Sequence, residues 1–155
     1  MAGMAALLAA TVVLRLEGIG TWYWVDEALS VGIARHPIAE IPHLLLRDGS
    51  PPLWYLLLHL WTSVLGTSAV ATHAMSVVFG IAVVPVAWVV ARRVFDERAA
   101  WCTGALVAVS PFVTYFGHET RMYSLVVVLA VLVCWSFVAA FVDGSDRARW
   151  WFAVA

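Results

Sequence analysis

The sequence predicts an all-α polytopic membrane protein with about four transmembrane helices and further helices on the outer membrane face. Its 155 residues are 63% hydrophobic and 12% charged, whereas soluble domains are roughly 45–50% apolar and about 25% charged. One small core cannot bury this excess, because a soluble domain of this length leaves about 30% of its unfolded surface exposed. A span needs about 20 apolar residues, so the chain has room for four or five spans.

The first apolar run, residues 1–16, is interpreted as a transmembrane span. The alternative is a cleaved signal peptide, which begins with a positively charged region. This run has no basic residue before Arg15. We therefore expect a first span that ends near the start of the following polar stretch.

The polar stretch at residues 17–50 is predicted to form a loop on the outer face. Within it, residues 25–34 and 38–46 each have the pattern of a short amphipathic helix bounded by helix-breaking residues. The aromatic residues at 22–24 are typical of the belt that Trp and Tyr form at a membrane surface. The loop is therefore expected to lie on the membrane.

The next apolar run, residues 51–66, is predicted to be a juxtamembrane helix. Its 16 residues would form a helix of about 24 Å, shorter than the hydrocarbon core of about 30 Å. Trp54, Tyr55, His59 and Trp61 also favour the interface. The alternative, a further span, would place Asp26 on the opposite side of the membrane from residues 118–121.

Three clearer spans are predicted at residues 69–91, 99–116 and 122–142, and residues 150–155 are read as the start of another. Because an apolar run begins where the sequence ends, residues 1–155 are expected to be the amino-terminal portion of a longer membrane domain.

The arginines predict the orientation of these spans. Cytoplasmic loops are enriched in Lys and Arg, and arginines cluster at 92–98 and at 147–149. With both clusters in the cytoplasm, the connection at 117–121 faces outward. If residues 51–66 lie in the interface, the loop at 17–50 also faces outward and the amino terminus lies inside.

Two clusters of charged residues are candidates for chemistry, since charge beside a bilayer is costly unless it is solvated, paired or used. The first is Asp26-Glu27, which could equally be the acidic first turn of a helix. The second is His118 to Tyr123, which could be a solvated turn, or could use Arg121 to bind a phosphate. The residues alone leave both alternatives open.

Other classes of site lack support. The five histidines show no zinc-type spacing, so a metal site, and with it a divalent metal or other cofactor, is not indicated. Walker-type and dinucleotide glycine motifs do not occur. A formal net charge of −1 gives no electrostatic support to a nucleic-acid partner.

The order of the motifs resembles the opening of the polytopic GT-C glycosyltransferases, and more closely the bacterial relatives of protein O-mannosyltransferases and of the lipid A aminoarabinose transferase. The similar segments are LRLEGIG at 14–20, WVDEALS at 24–30, DGSPPLWYLLLHLW at 48–61, ATHAMS at 71–76, RRVF at 92–95 and SPFVTYFGHETRMYSL at 110–125. The chain departs from the family's usual pattern at His73, where Arg is common, at His118, where Gln is common, and at Thr120, where Ala is common.

This resemblance implies an inverting hexosyl or pentosyl transferase in the bacterial plasma membrane, with its active site on the extracytoplasmic side. The donor would be a sugar on a polyprenyl phosphate, with mannose as one candidate. The acceptor hydroxyl would belong to a protein, a lipid or a glycan.

The resemblance and the residue chemistry together suggest roles. A single displacement needs one base, for which Asp26 is the choice, and Glu27 would orient the acceptor or pair with a basic group. Arg121 is the candidate for the leaving phosphate. Glu119 would hold Arg121 or contact the sugar, with His118 and Tyr123 also near the donor. Asp48 and His59 are candidates to line the same cavity, with residues 51–66 as a wall beside the donor groove.

Two alternatives are a transporter fragment and a catalytically inactive membrane fragment of a glycosyltransferase. Charges on a transporter's substrate path lie within its spans, whereas here they gather at one face. The inactive fragment would keep the scaffold without completing the active site.

Overall fold

The computed structural model describes residues 2–154, and within them the secondary structure is helical throughout. The helices are α1 (Ala2–Leu16), α2 (Val25–Ala34), α3 (Ile41–Asp48), α4 (Pro52–Leu65), α5 (Ala69–Val94), α6 (Glu97–Val109), α7 (Pro111–His118), α8 (Tyr123–Phe137), which a π-helical segment (Val138–Val142) extends, and α9 (Asp146–Val154).

The centre of the fold is α5, which packs against α1, α4, α6, α7 and α8. Ser68 caps its amino terminus, since its side chain accepts a hydrogen bond from the Ala71 amide at 3.2 Å. With 26 residues, α5 is about 39 Å long, enough to cross a hydrocarbon core of about 30 Å. α5 is therefore the helix around which α1, α4, α6, α7 and α8 are placed.

A second long apolar helix is formed by α8 and its π-helical extension, which together run from Tyr123 to Val142. It is far less buried within the structure than α5. Both ranges lie close to the predicted spans at 69–91 and 122–142. The chain is thus an all-α polytopic membrane protein, as predicted.

The predicted continuous span at 99–116 is wrong in one respect, because α6 and α7 meet at a bend of 49°. Pro111 has no N–H for the carbonyl of Val107, and a residue before proline favours extended backbone. Ser110 adopts that conformation, with φ −62° and ψ 119°, and its hydroxyl caps α7 at the Val113 amide. Hydrophobicity alone does not reveal this bend.

Fewer than the predicted four helices have the length and apolar composition of a complete membrane span. Within residues 2–154, two helices are long and apolar enough to cross a membrane, or three if the bent pair α6–α7 is counted as one span. α1 and α4 are shorter apolar helices of 15 and 14 residues. The span assigned to residues 1–16 and the interfacial position of residues 51–66 stay predictions.

Two further boundaries differ from the sequence interpretation. The amphipathic helix predicted at 38–46 is observed at Ile41–Asp48, where Gly49 ends it with φ 77°. The last helix begins at Asp146 rather than at 150, because Gly144 turns the chain with φ 73° and Asp146 pairs with Arg149 at 2.9 Å. The helix predicted at 25–34 matches α2 in both bounds.

Helices α2, α3 and α4 form a layer across one end of the bundle. They share a core with α5 and α8, made of Ile33, Ala34, Ile41, Leu45, Trp54, Tyr55, Leu58, Met75 and Leu125. Full burial of a large apolar side chain contributes roughly 1.5–3 kcal/mol. This core therefore holds the otherwise polar segment 17–50 against the bundle and fixes the position of α2.

Candidate active site

Three segments that are distant in the sequence meet at one end of the bundle. The first turn of α2 supplies Asp26 and Glu27, the start of α5 supplies His73, and the connection between α7 and α8 supplies Glu119 and Arg121. The two charged clusters predicted to share one face therefore do lie together.

Glu27 is buried, with 2% of its surface exposed. One carboxylate oxygen, Oε1, accepts hydrogen bonds from His73 Nε2 at 2.8 Å and from the Thr120 amide at 2.7 Å. The other, Oε2, accepts from the Trp24 amide at 2.8 Å, a bond that also caps the start of α2. Glu27 thus pairs with a basic group, His73, which is one of the two roles considered for it.

These contacts determine the charge of Glu27. Burial alone would raise the pKa of its carboxyl group, but the hydrogen bonds from His73 and from the amides of Trp24 and Thr120 outweigh burial and lower it. Glu27 is therefore a carboxylate at neutral pH, locked between α2, α5 and the α7–α8 connection.

Asp26, in contrast, is exposed. Its backbone carbonyl accepts a hydrogen bond from the Ser30 hydroxyl at 2.9 Å. The Arg121 guanidinium lies against the same turn, since its Nη1 donates to Ser30 Oγ at 3.2 Å and approaches the Asp26 carbonyl at 3.5 Å. These side-chain hydrogen bonds of Arg121 go to α2, whereas its backbone amide donates to the Glu119 carbonyl at 2.7 Å, so the guanidinium lies beside Asp26.

A cavity of about 310 Å³ brings these side chains together. It is lined by Trp24, Asp26, Glu27, Tyr115, Phe116, Glu119, Arg121 and Tyr123. A neighbouring cavity of about 570 Å³ shares Trp24, Glu27, Tyr115 and Glu119 with it and adds Gly18, Thr21, Trp22, Tyr23, His73 and His118. Aromatic faces beside three carboxyl groups and a guanidinium suit a polar ligand that carries an anionic group.

Glu119 differs from the other two carboxyl groups. Its burial, together with the nearby Glu27 carboxylate, raises its pKa above the ordinary value of a glutamate. Its backbone carbonyl accepts a hydrogen bond from the Ser76 hydroxyl, which fixes the α7–α8 connection to α5. Glu119 is thus a carboxyl group suited to holding or releasing a proton at the cavity wall.

The two remaining predicted donor residues lie at the edges of this site. His118 lines the larger cavity, and its Nε2 donates to the Arg15 carbonyl at 2.8 Å. Tyr123 lines the smaller cavity, with its ring centroid 6.0 Å from the Arg121 guanidinium carbon, the outer limit of a cation–π contact.

Asp48 and His59 lie elsewhere and line neither cavity. Asp48 is exposed at the end of α3 and accepts a hydrogen bond from the Tyr55 hydroxyl at 3.2 Å. His59 Nδ1 donates to the Ala34 carbonyl at 2.8 Å, at the end of α2. Both join the helices of the end layer to one another.

Two buried basic residues of the site region were not singled out as site residues from the sequence. His73 is 1% exposed and binds Glu27, and Arg15 is 0% exposed. Arg15 donates to the carbonyls of Val107 and Ala108 at 3.3 and 3.4 Å, at the bend where Pro111 leaves a carbonyl without its helical donor. The sequence feature that could have revealed them is that each is the single basic residue in its apolar run.

Hydroxyl groups complete the polar network. The Tyr23 hydroxyl donates to the Thr67 carbonyl at 3.0 Å and lies 2.8 Å from Thr72 Oγ1. The Thr120 hydroxyl in turn donates to Thr72 at 3.0 Å. Thr72 therefore ties both the segment before α2 and the α7–α8 connection to α5.

Residues 2–154 contain no group of three or more His, Cys, Asp or Glu side chains placed to hold a metal ion. The absence of a metal requirement stays a prediction. Another cavity, of about 530 Å³ beside α8 and α9, is lined by apolar side chains apart from Ser136, Ser145 and Arg147.

The fold and the site define a polytopic membrane protein with a candidate active site at one end of its helix bundle. The model of the dolichyl-phosphate-mannose-protein mannosyltransferase family matches residues 49–155, more than two thirds of the chain. The chain belongs to this family and is thus a membrane glycosyltransferase of the mannosyltransferase-like kind. No curated protein and no solved structure matches it.

The family match covers Glu119, Arg121 and His73 but begins after α2, so Asp26 and Glu27 lie outside it. Family membership favours a glycosyltransferase over the transporter considered above. The roles of the individual side chains rest on the geometry alone.

Proposed function

We propose that the protein transfers a sugar from a polyprenyl-phosphate donor to an acceptor hydroxyl, with inversion at the anomeric carbon and Asp26 as the general base. The observation that carries this proposal is the shared cavity of about 310 Å³, which both Asp26 and Arg121 line. Mannose is the sugar named by the family description.

Arg121 is the group we assign to the donor phosphate. Its guanidinium is fixed by α2, and its Nε has no hydrogen-bond partner among the described residues. As the bond between the anomeric carbon and the phosphate oxygen breaks, the phosphate leaves with the electron pair and gains negative charge. A fixed cation stabilises that charge more in the transition state than in the ground state.

Asp26 is the group we assign to the acceptor. Its carboxylate is exposed at the cavity, whereas that of Glu27 is fully engaged in hydrogen bonds. The acceptor oxygen forms the new bond to the anomeric carbon while its proton passes to Asp26. General-base help of this kind contributes roughly 10²–10⁴-fold.

The site is proposed to face the extracytoplasmic side of a bacterial plasma membrane. α5 carries His73 near one end and Arg92 and Arg93 at the other, separated by about 28 Å along the helix axis. The positive-inside tendency places the arginine end in the cytoplasm, which leaves the cavity outside.

Cysteine labelling tests this orientation. Cysteines are introduced at Trp22 and Phe95, which are 95% and 74% exposed, in a variant without Cys102 and Cys134. Membrane-impermeant reagent should reach position 22 and miss position 95, and the reverse pattern would overturn it.

The activity is tested with the protein in membranes, supplied with radiolabelled polyprenyl-phosphate mannose or, as the control donor, a nucleotide-linked mannose. We expect transfer from the polyprenyl phosphate alone, with a product of opposite anomeric configuration. Transfer from the nucleotide sugar alone, or retention of configuration, would contradict the proposal. Protein, lipid and glycan acceptors are distinguished by the fraction in which the label appears.

A further inference from the structure

The buried histidine beside Glu27 has a hydrogen-bond partner at each ring nitrogen. His73 Nδ1 lies 2.8 Å from the carbonyl oxygen of Ile19. His73 Nε2 lies 2.8 Å from Glu27 Oε1. With 1% of its surface exposed, the ring exchanges neither partner for bulk water.

The partners determine where the ring protons sit. A backbone carbonyl only accepts hydrogen bonds, so Nδ1 of His73 carries a proton. Glu27 accepts backbone amide hydrogen bonds at both carboxylate oxygens, from Thr120 and from Trp24. Such bonds favour the ionised carboxylate, which also only accepts, so Nε2 of His73 carries a proton as well. A ring with two N–H groups is an imidazolium.

We infer that His73 is a positively charged positioning residue, whose imidazolium holds Glu27 and thereby fixes Asp26 and the α7–α8 connection relative to each other at the cavity. The cation joins three segments, because Ile19 precedes α2, Glu27 lies in the first turn of α2, and the same carboxylate oxygen binds the Thr120 amide. His73 does not itself reach the exposed carboxylate of Asp26, so it acts through Glu27.

The surroundings are compatible with a cation at this position. Besides Glu27 and His73, the titratable residues Glu119 and His118 also line the larger cavity. The Tyr23 ring meets the His73 ring edge to face, with centroids 5.6 Å apart. His118 donates to the Arg15 carbonyl through Nε2, and Tyr23 is held by Thr67 and Thr72. Glu27 is therefore the only one of these groups that the described hydrogen bonds join to the His73 ring.

The charge state is tested by NMR of the full chain in detergent at neutral pH, with nitrogen-15 in the histidine rings. His73→Gln identifies the His73 signals by their disappearance, and His43→Gln, which changes an exposed histidine of α3, is the control for assignment. We expect two protonated ring nitrogens for His73. One protonated and one unprotonated nitrogen would overturn the inference.

The positioning role rests on the proposed function and is tested by transfer kinetics. We expect His73→Gln to lower kcat by about 10²-fold with little change in KM, the loss expected when a reacting group is misplaced by about 1 Å. His73→Arg, which keeps a cation with several donors, should recover part of kcat, and His43→Gln should leave it unchanged. An unchanged kcat in a folded His73→Gln variant would overturn the positioning role.

The two failures are distinguishable. If His73 is neutral while Asp26→Asn still abolishes transfer, this inference fails and the proposed function stands. If His73 is doubly protonated while Asp26→Asn transfers sugar normally, the charge assignment stands and the proposed function fails. If the variants at position 73 do not fold, single substitutions of the other four histidines, His36, His43, His59 and His118, assign their ring signals and leave those of His73 by exclusion.

Discussion

Arg121 Nη1 lies 3.5 Å from the backbone carbonyl of Asp26, although 95 residues separate them in the sequence. The contact places the guanidinium and the Asp26 side chain at the same cavity. The proposed single displacement needs a base for the acceptor and a cation for the leaving phosphate, and this contact brings together the two residues to which we assign those roles.

Arg121 is expected to stabilise the leaving phosphate. Arg121→Gln should lower kcat/KM by about 10²–10³-fold, the usual loss on removing one fixed donor to a developing charge. Arg121→Lys should recover only part of the rate, because an ammonium lacks the planar fork of donors. The measurement is steady-state transfer from the polyprenyl-phosphate sugar, with Arg47→Gln, at an exposed position of α3, as the control. Equal rates for Arg121→Gln and Arg47→Gln would exclude this role.

Glu27 is expected to stabilise the fold. Glu27→Gln leaves a buried cation at His73 without its anion, and breaking a buried pair in this way costs about 3–5 kcal/mol. We expect a clear drop in the thermal unfolding temperature of the detergent-solubilised protein. Glu40→Gln, which alters an exposed ion pair with His36, should change it by little. Equal stability of both variants would show that the buried pair contributes nothing.

The Glu27 carboxylate also predicts a dependence of stability on pH. Its pKa is held below the ordinary glutamate value by His73 and two amides. A carboxyl group with a lowered pKa in the folded state contributes stability above its unfolded pKa of about 4.3, and this contribution is lost as the pH falls through the lower value. Unfolding measured down to strongly acidic pH should show this loss in the unaltered protein and a smaller one in Glu27→Gln. Parallel curves would contradict the assignment.

The ionised side chain of Glu119 is expected to destabilise the folded protein. Burial and the Glu27 carboxylate raise its pKa, so its contribution to stability is present below its unfolded pKa and is lost as the pH rises through the raised value. Because Glu119 is only half-buried, we expect Glu119→Gln to stabilise the protein at neutral pH by at most ~1 kcal/mol while transfer activity falls. A marked loss of thermal stability would show instead that the ionised side chain stabilises the fold.

We expect the buried Arg15 side chain to require glycine at position 80. A Cβ at position 80 would lie 3.1 Å from Arg15 Nε, whereas a Cβ at Gly32 meets nothing within 4 Å. Gly80→Ala should therefore destabilise the protein by about 1–3 kcal/mol. Gly32→Ala, inside α2, should be neutral or stabilise by about 0.5–1 kcal/mol. Thermal unfolding of the two variants measures the contrast, and a neutral Gly80→Ala would show that Arg15 has room to move.

Much of the site could be predicted because its charges are rare. Asp26, Glu119 and Arg121 stood out in a sequence with 12% charged residues. The arginine clusters, together with the interfacial position expected for residues 51–66, predicted that both acidic clusters share one face. The range of α2 also followed from its amphipathic pattern. These features depend on local sequence and on the cost of charge near a bilayer.

The rest depends on contacts between distant segments. His73 looks like one polar residue in an apolar span until α2 brings Glu27 to it. Arg15 similarly looks like the end of a first span. At the α6–α7 bend, however, its guanidinium donates to the Val107 carbonyl, whose helical amide donor is missing because residue 111 is proline. Hydrophobicity continues across that bend, so residues 99–116 look like one straight helix. Periodicity and composition do not encode such pairings.

The central claim is tested most directly by the kcat of Asp26→Asn in transfer from the polyprenyl-phosphate sugar. The substitution keeps the size of the side chain and removes its ability to accept a proton. We expect kcat to fall by about 10²–10⁴-fold, with an unchanged unfolding temperature because Asp26 is exposed, and Glu40→Gln should keep the full rate. Transfer by Asp26→Asn at the rate of the unaltered protein would contradict the account.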